Sequence, residues 1–256
     1  MTRPFFLTVT ICARLTRPTR RSWRKQQEFV QYEFEPLRVL VACEFSGTVR
    51  KAFLEKGHDA WSCDLLPSED GSNRHIRGDA REILNDGWDL LMVAHPPCTR
   101  LCNSGVRWLT EPPPGKSLQQ MWQELDEGAA LFSAFWNAPV DRICVENPVM
   151  HKHAKARIRN YADFAQSVQP WQFGHGETKR TCFWLKNLPA LRATDIVDGR
   201  ENRVHRLPPS PDRWRERSRF FTGIAKAMAD QWGELGRYSA SMAAETADQL
   251  QLAFPL

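Results

Sequence analysis

The chain has 256 residues, 42% of them hydrophobic, with 35 Lys and Arg against 30 Asp and Glu and a formal net charge of +5 at pH 7. That length supports one full-sized core and leaves little for a second, and no apolar run reaches the roughly 18 residues that a membrane span needs. Seven cysteines, at 12, 43, 63, 98, 102, 144 and 182, form an odd set with no C-x-x-C pair. This argues against a secreted disulfide framework and the usual zinc spacings, and for a reducing cytosol.

Residues 1 to 35 hold seven Lys and Arg against three acids and no glycine, and the rest of the chain is close to neutral. "MTRPFFLTVTICARLTRPTRRSWRK" has no helical or strand period beyond one threonine-broken apolar patch. It admits three readings: a disordered or dispensable extension, a nucleic-acid-binding arm, or a targeting segment. The first is expected over 1–36, because basic residues follow the patch where a cleavage site should begin.

From Leu37 the texture changes. "LRVLVAC" predicts a buried strand and "FSG" a turn. "TVRKAFLEKG" predicts a short helix with Val49, Ala52 and Phe53 on one face and Gly57 as its stop. "HDAWSCD" gives a second strand ending at Asp64, "HIRGD" a short third ending at Asp79, and "WDLLMVA" a fourth. A long helix is expected over 118–138 with Met121, Leu125, Ala129, Phe132 and Trp136 along one side, and "RICVE" is a fifth strand ending at Glu146. Apolar strands alternating with helices predict an α/β fold, a mostly parallel sheet with helices on both faces and ligands bound beyond the carboxyl ends of the strands.

The chemistry-bearing motifs fall at such ends. Gly47 opens the first turn, where a glycine lets backbone amides approach a ligand, and Asp64 follows 17 residues later at the position suited to ribose hydroxyls. Asp64 and Asp79 have a plainer reading as a solvated strand terminus or a helix cap. In "AHPPCTRLCNSG", Pro96 and Pro97 fix φ and hold the Cys98 thiol at the sheet edge. A packed, inert cysteine is the plainer alternative. The next strand ends in "VENP", and adjacent strands lie about 5 Å apart, so Cys98 and Glu146 can meet one small ligand. Lys179 and Arg180, ahead of the apolar "TCFWL", are either surface charges or a third group. Cys102 is either packing or a rival thiol.

The order "ACEFSG", "SCD", "AHPPC", "VENP", "TKRTCFWL" and "RFFTGIAKAMADQW" resembles the cytosine-5 DNA methyltransferases, especially the compact bacteriophage type, over roughly residues 37 to 235. The resemblance implies a Rossmann-like class I methyltransferase fold with a very small or absent recognition domain. The catalytic domain is then expected over 37–240 and a C-terminal tail over 241–256. It implies S-adenosylmethionine as cofactor, with Phe45, Ser46, Gly47 and Pro96 around it, Asp64 on the ribose and Asp79 on the adenine. It also implies Cys98 as nucleophile, Glu146 on the cytosine edge and Arg180 supporting the base.

Such an enzyme needs these groups because carbon 5 of cytosine is a poor nucleophile until a thiolate adds to carbon 6. A protonated glutamate neutralises the charge that develops, and the base must be flipped out of the duplex. Residues 99–117 are then the expected closing loop. The sequence departs from the family at Thr48, Val49 and Arg50, where glycines are usual, at Thr99 in place of glutamine, and at Pro148 in place of valine.

Only a short basic segment, 187–219, stands where the family inserts its recognition domain. It carries arginines 203, 206, 213, 215, 217 and 219 with Trp214, and Phe220 follows. Arg213, Arg215 and Arg217, with Lys152 and Lys179, are the expected nucleic-acid contacts, against a solvated charged loop as the alternative. The histidines of "HKHAKARIR" are not spaced as a zinc site, so no metal is expected. The expected protein is a monomer acting on DNA in the cytoplasm of a bacterial or phage-infected cell. The alternatives are another pyrimidine carbon 5 modification by the same covalent route, an amino-group methyltransferase, which "HPPC" disfavours, and a nucleic-acid-binding relic without turnover.

Overall fold

The run RVLVA forms β1 (Arg38–Ala42), with every side chain after Arg38 buried. LLMV forms β4 (Leu90–Val93), buried throughout. Strands buried on both faces belong at the centre of a parallel sheet, and β1 and β4 pair there in parallel, Val39 with Leu90 through Ala42 with Val93. This computed structural model describes residues 35–235, which apart from Glu35 belong to one unit, Pro36–Gly236. The extension expected over 1–36, except its last two residues, and the tail expected over 241–256 lie outside the described residues.

Around that pair stand β2 (Asp59–Asp64), β3 (His75–Arg77), β5 (Arg142–Asn147), β6 (Gln166–Val168) and β7 (Thr181–Lys186). The seven strands take the order β3-β2-β1-β4-β5-β7-β6. The first five run parallel, and β7 is antiparallel to both its neighbours. Three-residue β6, in "FAQSVQP", was not foreseen: it is too short to show a period.

Alternate strand side chains feed two separate cores. On one face Val39, Val41, Leu90 and Met92 pack with α1 (Thr48–Glu55) and α6 (Thr222–Gly233), through Val49, Phe53, Ile224, Met228 and Trp232. On the other, Leu40, Ala42, Leu91 and Val93 meet α2 (Leu118–Trp136) and α3 (Lys152–Lys155). Helices therefore cover both faces, the Rossmann-like arrangement expected of the sequence.

α2 starts where Ser117 Oγ accepts from Gln120 N at 3.1 Å and Gln120 Oε1 accepts from Ser117 N at 2.7 Å, a reciprocal capping box. Its buried stripe is Met121, Leu125, Ala129, Phe132 and Phe135. Trp136, expected there, is half-buried instead and donates Nε1–H to Asn160 O at 2.9 Å. An indole needs a partner for its N–H, and the helix edge supplies one.

Between β7 and α6 the only helices are short, α4 (Arg203–Arg206) and α5 (Arg213–Ser218). Among the described residues no helix is long and apolar enough to cross a membrane, and no cluster of His, Cys, Asp and Glu has metal-binding geometry.

Candidate functional site

The turn between β1 and α1 is built on two buried charges that sequence reasoning did not single out. Glu44 is fully buried, and its carboxylate accepts from Val49 N at 2.6 Å and Arg50 N at 3.1 Å, capping α1. Burial pushes its carboxyl up to about 7, against the opposing pull of those amides and of Arg50. Arg50 is also fully buried; Nη1 donates to Ser62 Oγ at 2.7 Å and Nη2 to Asp70 Oδ2 at 2.5 Å. The available signal was a charge on the apolar face of α1, beside Val49 and Phe53.

Gly47 is required at this turn. Its φ of 70° is left-handed, and a Cβ there would fall 2.3 Å from Arg50 Nη2. Phe45 and Ser46 are buried beside it, and Ser46 Oγ lies 3.2 Å from Thr48 Oγ1.

At the end of β2, Asp64 Oδ1 accepts from Leu66 N at 2.9 Å, and burial raises its carboxyl. The next side chain, Leu65, is 71% exposed. Asp79 caps the short 3-10 turn Ala80–Ile83, accepts from Arg81 N at 2.9 Å and binds the Arg81 guanidinium, which holds its carboxyl below the ordinary value. The cap reading of Asp79 therefore holds in the structure. Gly78 N, just before Asp79, donates to Asp64 O at 3.0 Å, and burial raises the Cys43 thiol at the end of β1, the charges of Asp64 and Asp79 raising it further.

A second group gathers at the ends of β4, β5 and β7. Pro96 is buried and Cys98 half-buried in the segment leaving β4. Glu146, on β5, shares a narrow cleft with Lys179, Thr181, Arg219, Phe220, Phe221 and Ile224. Burial pushes the Glu146 carboxyl up to about 7, with Lys179 opposing. Burial also lowers the Lys179 ammonium, while the charges of Glu146 and Cys98 raise it. The His95 ring packs 5.5 Å from that of Phe220, and burial, then Lys179, lowers its pKa well below the ordinary value.

Of the two basic residues before β7, it is Lys179 that lines this cleft, beside Arg219, and not Arg180. Glu146 pairs across the sheet with Phe183, so residues 179, 181 and 183 face the glutamate and residues 180, 182 and 184 face away. Arg180 is exposed, its guanidinium 5.8 Å from the centre of the Phe164 ring on the opposite face. The sequence placed both basic residues at the strand entry; only the register separates them.

The turn after Cys98 is tied to the end of β5. Asn103 N donates to Val149 O at 3.0 Å and His151 N to Leu101 O at 3.1 Å. The His151 ring bridges further, Nε2 to Arg100 O at 2.7 Å and Nδ1 accepting from Ala154 N at 3.1 Å. Residues 99–117, expected as a closing loop, contain a 3-10 turn, Asn103–Leu109, with Leu101 and Leu109 buried.

Of the expected nucleic-acid contacts, Lys152 is exposed at the start of α3. Arg213 and Arg217 line a shallow depression with Pro209, Ser210 and Trp214. Arg215 turns away: it lies 3.7 Å from Glu69, as Arg219 does at 3.0 Å. Trp214 packs on Phe45 with ring centres 5.9 Å apart, and Lys179 Nζ donates to Arg217 O at 2.8 Å. The basic segment is therefore fastened to both groups, through Phe45 and Glu69 to the first and through Lys179 to the second.

No known protein-family profile matches the chain, and no curated protein sequence does. Among solved structures it is similar to a candidate DNA modification methyltransferase encoded within an E. coli prophage, at 17% identity over 58% of this chain and 46% of that one, with a TM-score of 0.36. It is similar to the Entamoeba histolytica methyltransferase EhMeth at 13% identity, over 64% of this chain and 58% of that one, with a TM-score of 0.40. It is similar to the S. pombe Dnmt2 methyltransferase at 14% identity, over 60% and 50% of the two chains, with a TM-score of 0.33. The matched part spans about half the length of each of these proteins.

Proposed function

We propose that the chain is a methyltransferase that uses S-adenosylmethionine to methylate carbon 5 of cytosine in DNA through a covalent Cys98 adduct. The observation that carries the reading is the convergence of a thiol, a protonatable carboxyl and a cation, Cys98, Glu146 and Lys179, at the ends of three neighbouring strands. Glu146, pushed up to about 7 by burial, holds its proton part of the time near neutral pH and can donate it to the ring nitrogen as sulfur adds to carbon 6. Lys179 takes the part first expected of Arg180, holding the carbonyl oxygen of the base.

The residues at the β1 and β2 ends fit the cofactor. Asp64 offers a carboxylate to a ribose, exposed Leu65 offers an apolar surface to a purine, and the left-handed Gly47 leaves room for close approach. Phe45, Ser46 and Pro96 would wall the same pocket, while Asp79 would have to share its carboxylate with Arg81. When bound, the cofactor supplies an electrophilic methyl group.

The basic segment 187–219 acts as a reduced recognition element within a catalytic domain spanning 37–240. Arg213, Arg217 and Lys152 contact phosphate, and Arg215 braces the segment against Glu69. The enzyme works as a monomer in the cytoplasm. Incubation with DNA and labelled S-adenosylmethionine, followed by digestion to nucleosides and mass spectrometry, tests this directly. Labelled 5-methylcytosine is the expected product. A methylated exocyclic amine, or no transfer at all, contradicts the proposal.

A further inference from the structure

Trp214 is the one exposed tryptophan among the described residues, with 51% of its surface open. A single exposed apolar side chain needs no explanation by itself. Its neighbours give it one here. Trp214 stands on α5 in a depression of about 320 Å³ walled by Pro209, Ser210, Arg213 and Arg217. That volume lies at the small end of ligand clefts, which run from about 300 to 1,000 Å³, and has room for a single ring system.

The charges around it fall into two sets. Arg203 is paired with Glu177, and Arg215 and Arg219 with Glu69. Arg213 and Arg217 line the depression and have no acidic partner among the described residues. Arg213 Nε is moreover buried without a hydrogen-bond acceptor. A guanidinium N–H shut away from water and left unpaired is costly, and an oxygen brought by a ligand would remove that cost. An indole flanked by two unpaired guanidinium groups suits a flat base together with the phosphates beside it.

The depression is also joined to the cleft of Glu146. Trp214 packs on Phe45 at the β1 turn, and Arg217 O accepts from Lys179 Nζ at 2.8 Å. Arg219 and Phe220, just beyond Trp214 in the chain, line that cleft themselves. This continuity and the unpaired positive charge favour the strand that brings cytosine to Glu146 over an acidic peptide.

We infer that the depression is a nucleobase site, in which Trp214 stacks on one unpaired base of the DNA while Arg213 and Arg217 hold the phosphates flanking it. The inference rests on DNA being the substrate. Paired bases hide their faces in the helix stack, and drawing a cytosine out leaves the base opposite it unpaired. An indole gives such a base a new surface to stack on. Because every base has a π face, the contact adds affinity without reading sequence.

The test separates base from phosphate. Affinity is measured without cofactor, over a salt series, for a single-stranded oligonucleotide and for an abasic strand of the same length. Wild type should bind the base-bearing strand more tightly. Trp214→Leu should weaken that binding about tenfold, leave the abasic strand unaffected and keep the salt slope, whereas Trp214→Phe should restore most of the loss. Equal losses on both strands, or none, overturn the inference, since a side chain needed only to hold α5 against Phe45 would act on both. No binding to either strand also overturns it and leaves a peptide as the occupant. Should Trp214→Leu not fold, wild type carries the test. A strand containing 5-iodouracil crosslinks on irradiation to the aromatic ring it stacks on, and peptide mass spectrometry should find the base on Trp214; no crosslink there overturns the site. If 5-methylcytosine forms while these results are negative, the site fails and the methyltransferase stands; stacking at Trp214 without methylation means the reverse.

Discussion

Glu146 titrates where a buried acid should be least at home. A carboxyl whose folded pKa lies above its unfolded value keeps a proton that the unfolded chain has released. For Glu146, raised from 4.5 to about 7, the associated stability is fully present below the lower value and is lost as pH rises through the higher. The shift corresponds to about 3 kcal/mol at most, with Glu44 adding a slope of the same sign. Melting temperature should therefore fall between pH 5 and 8, and Glu146→Gln should flatten that fall and gain stability above pH 7. A pH series of thermal melts on both proteins checks this; an identical slope in the variant contradicts it. Cys98 and Glu146 were legible in the sequence because proline-stiffened strand ends announce held side chains. The choice between Lys179 and Arg180 was not: alternation says they face opposite ways, but only the pairing of β7 with β5 says which faces Glu146.

At the scale of single elements, the turn after Cys98 depends on one imidazole. His151 caps α3 and, through Arg100 O, fastens the turn that carries both thiols. His151→Ala should cost about 1–2 kcal/mol, a cap and a buried hydrogen bond together. It should also slow adduct formation at Cys98 by more than stability alone explains, which thermal melts beside trapping rates would separate. The basic helix α5 divides its own arginines. Arg213→Ala and Arg217→Ala should each lower the slope of log affinity for DNA against log salt by up to about 0.9, while Arg215→Ala should leave it unchanged because that side chain braces on Glu69. Equal losses for all three would contradict the division. Composition marked the segment as basic, but which arginines remain available is set by Glu69, a contact between residues about 150 apart that no local pattern reveals. Glu44 and Arg50 were hidden for the same reason: their partners, backbone amides and Asp70, exist only in the folded turn.

For the whole molecule, one sheet brings two groups to neighbouring strand ends, acids and a tight turn on β1 to β3 and a thiol, a carboxyl and an amine on β4, β5 and β7. The alternation of apolar strands with helices made the parallel half of that sheet readable, whereas β6 and the reversal of β7 left no local trace. Two short helices, α4 and α5, are the only ones available between β7 and α6 to read base edges. Discrimination should therefore be confined to a very short sequence context, and bisulfite sequencing of DNA from expressing cells would expose a long recognition site if there were one. The central claim is that Cys98 bonds to carbon 6 of cytosine. Incubating the protein and S-adenosylmethionine with an oligonucleotide carrying 5-fluorocytosine tests it, because fluorine cannot leave as a cation and the adduct is trapped after methyl transfer. Mass spectrometry of the trapped peptide should place the base on Cys98, with the adduct lost in Cys98→Ser and strongly slowed in Glu146→Gln. No adduct, or one carried by Cys102, would contradict it.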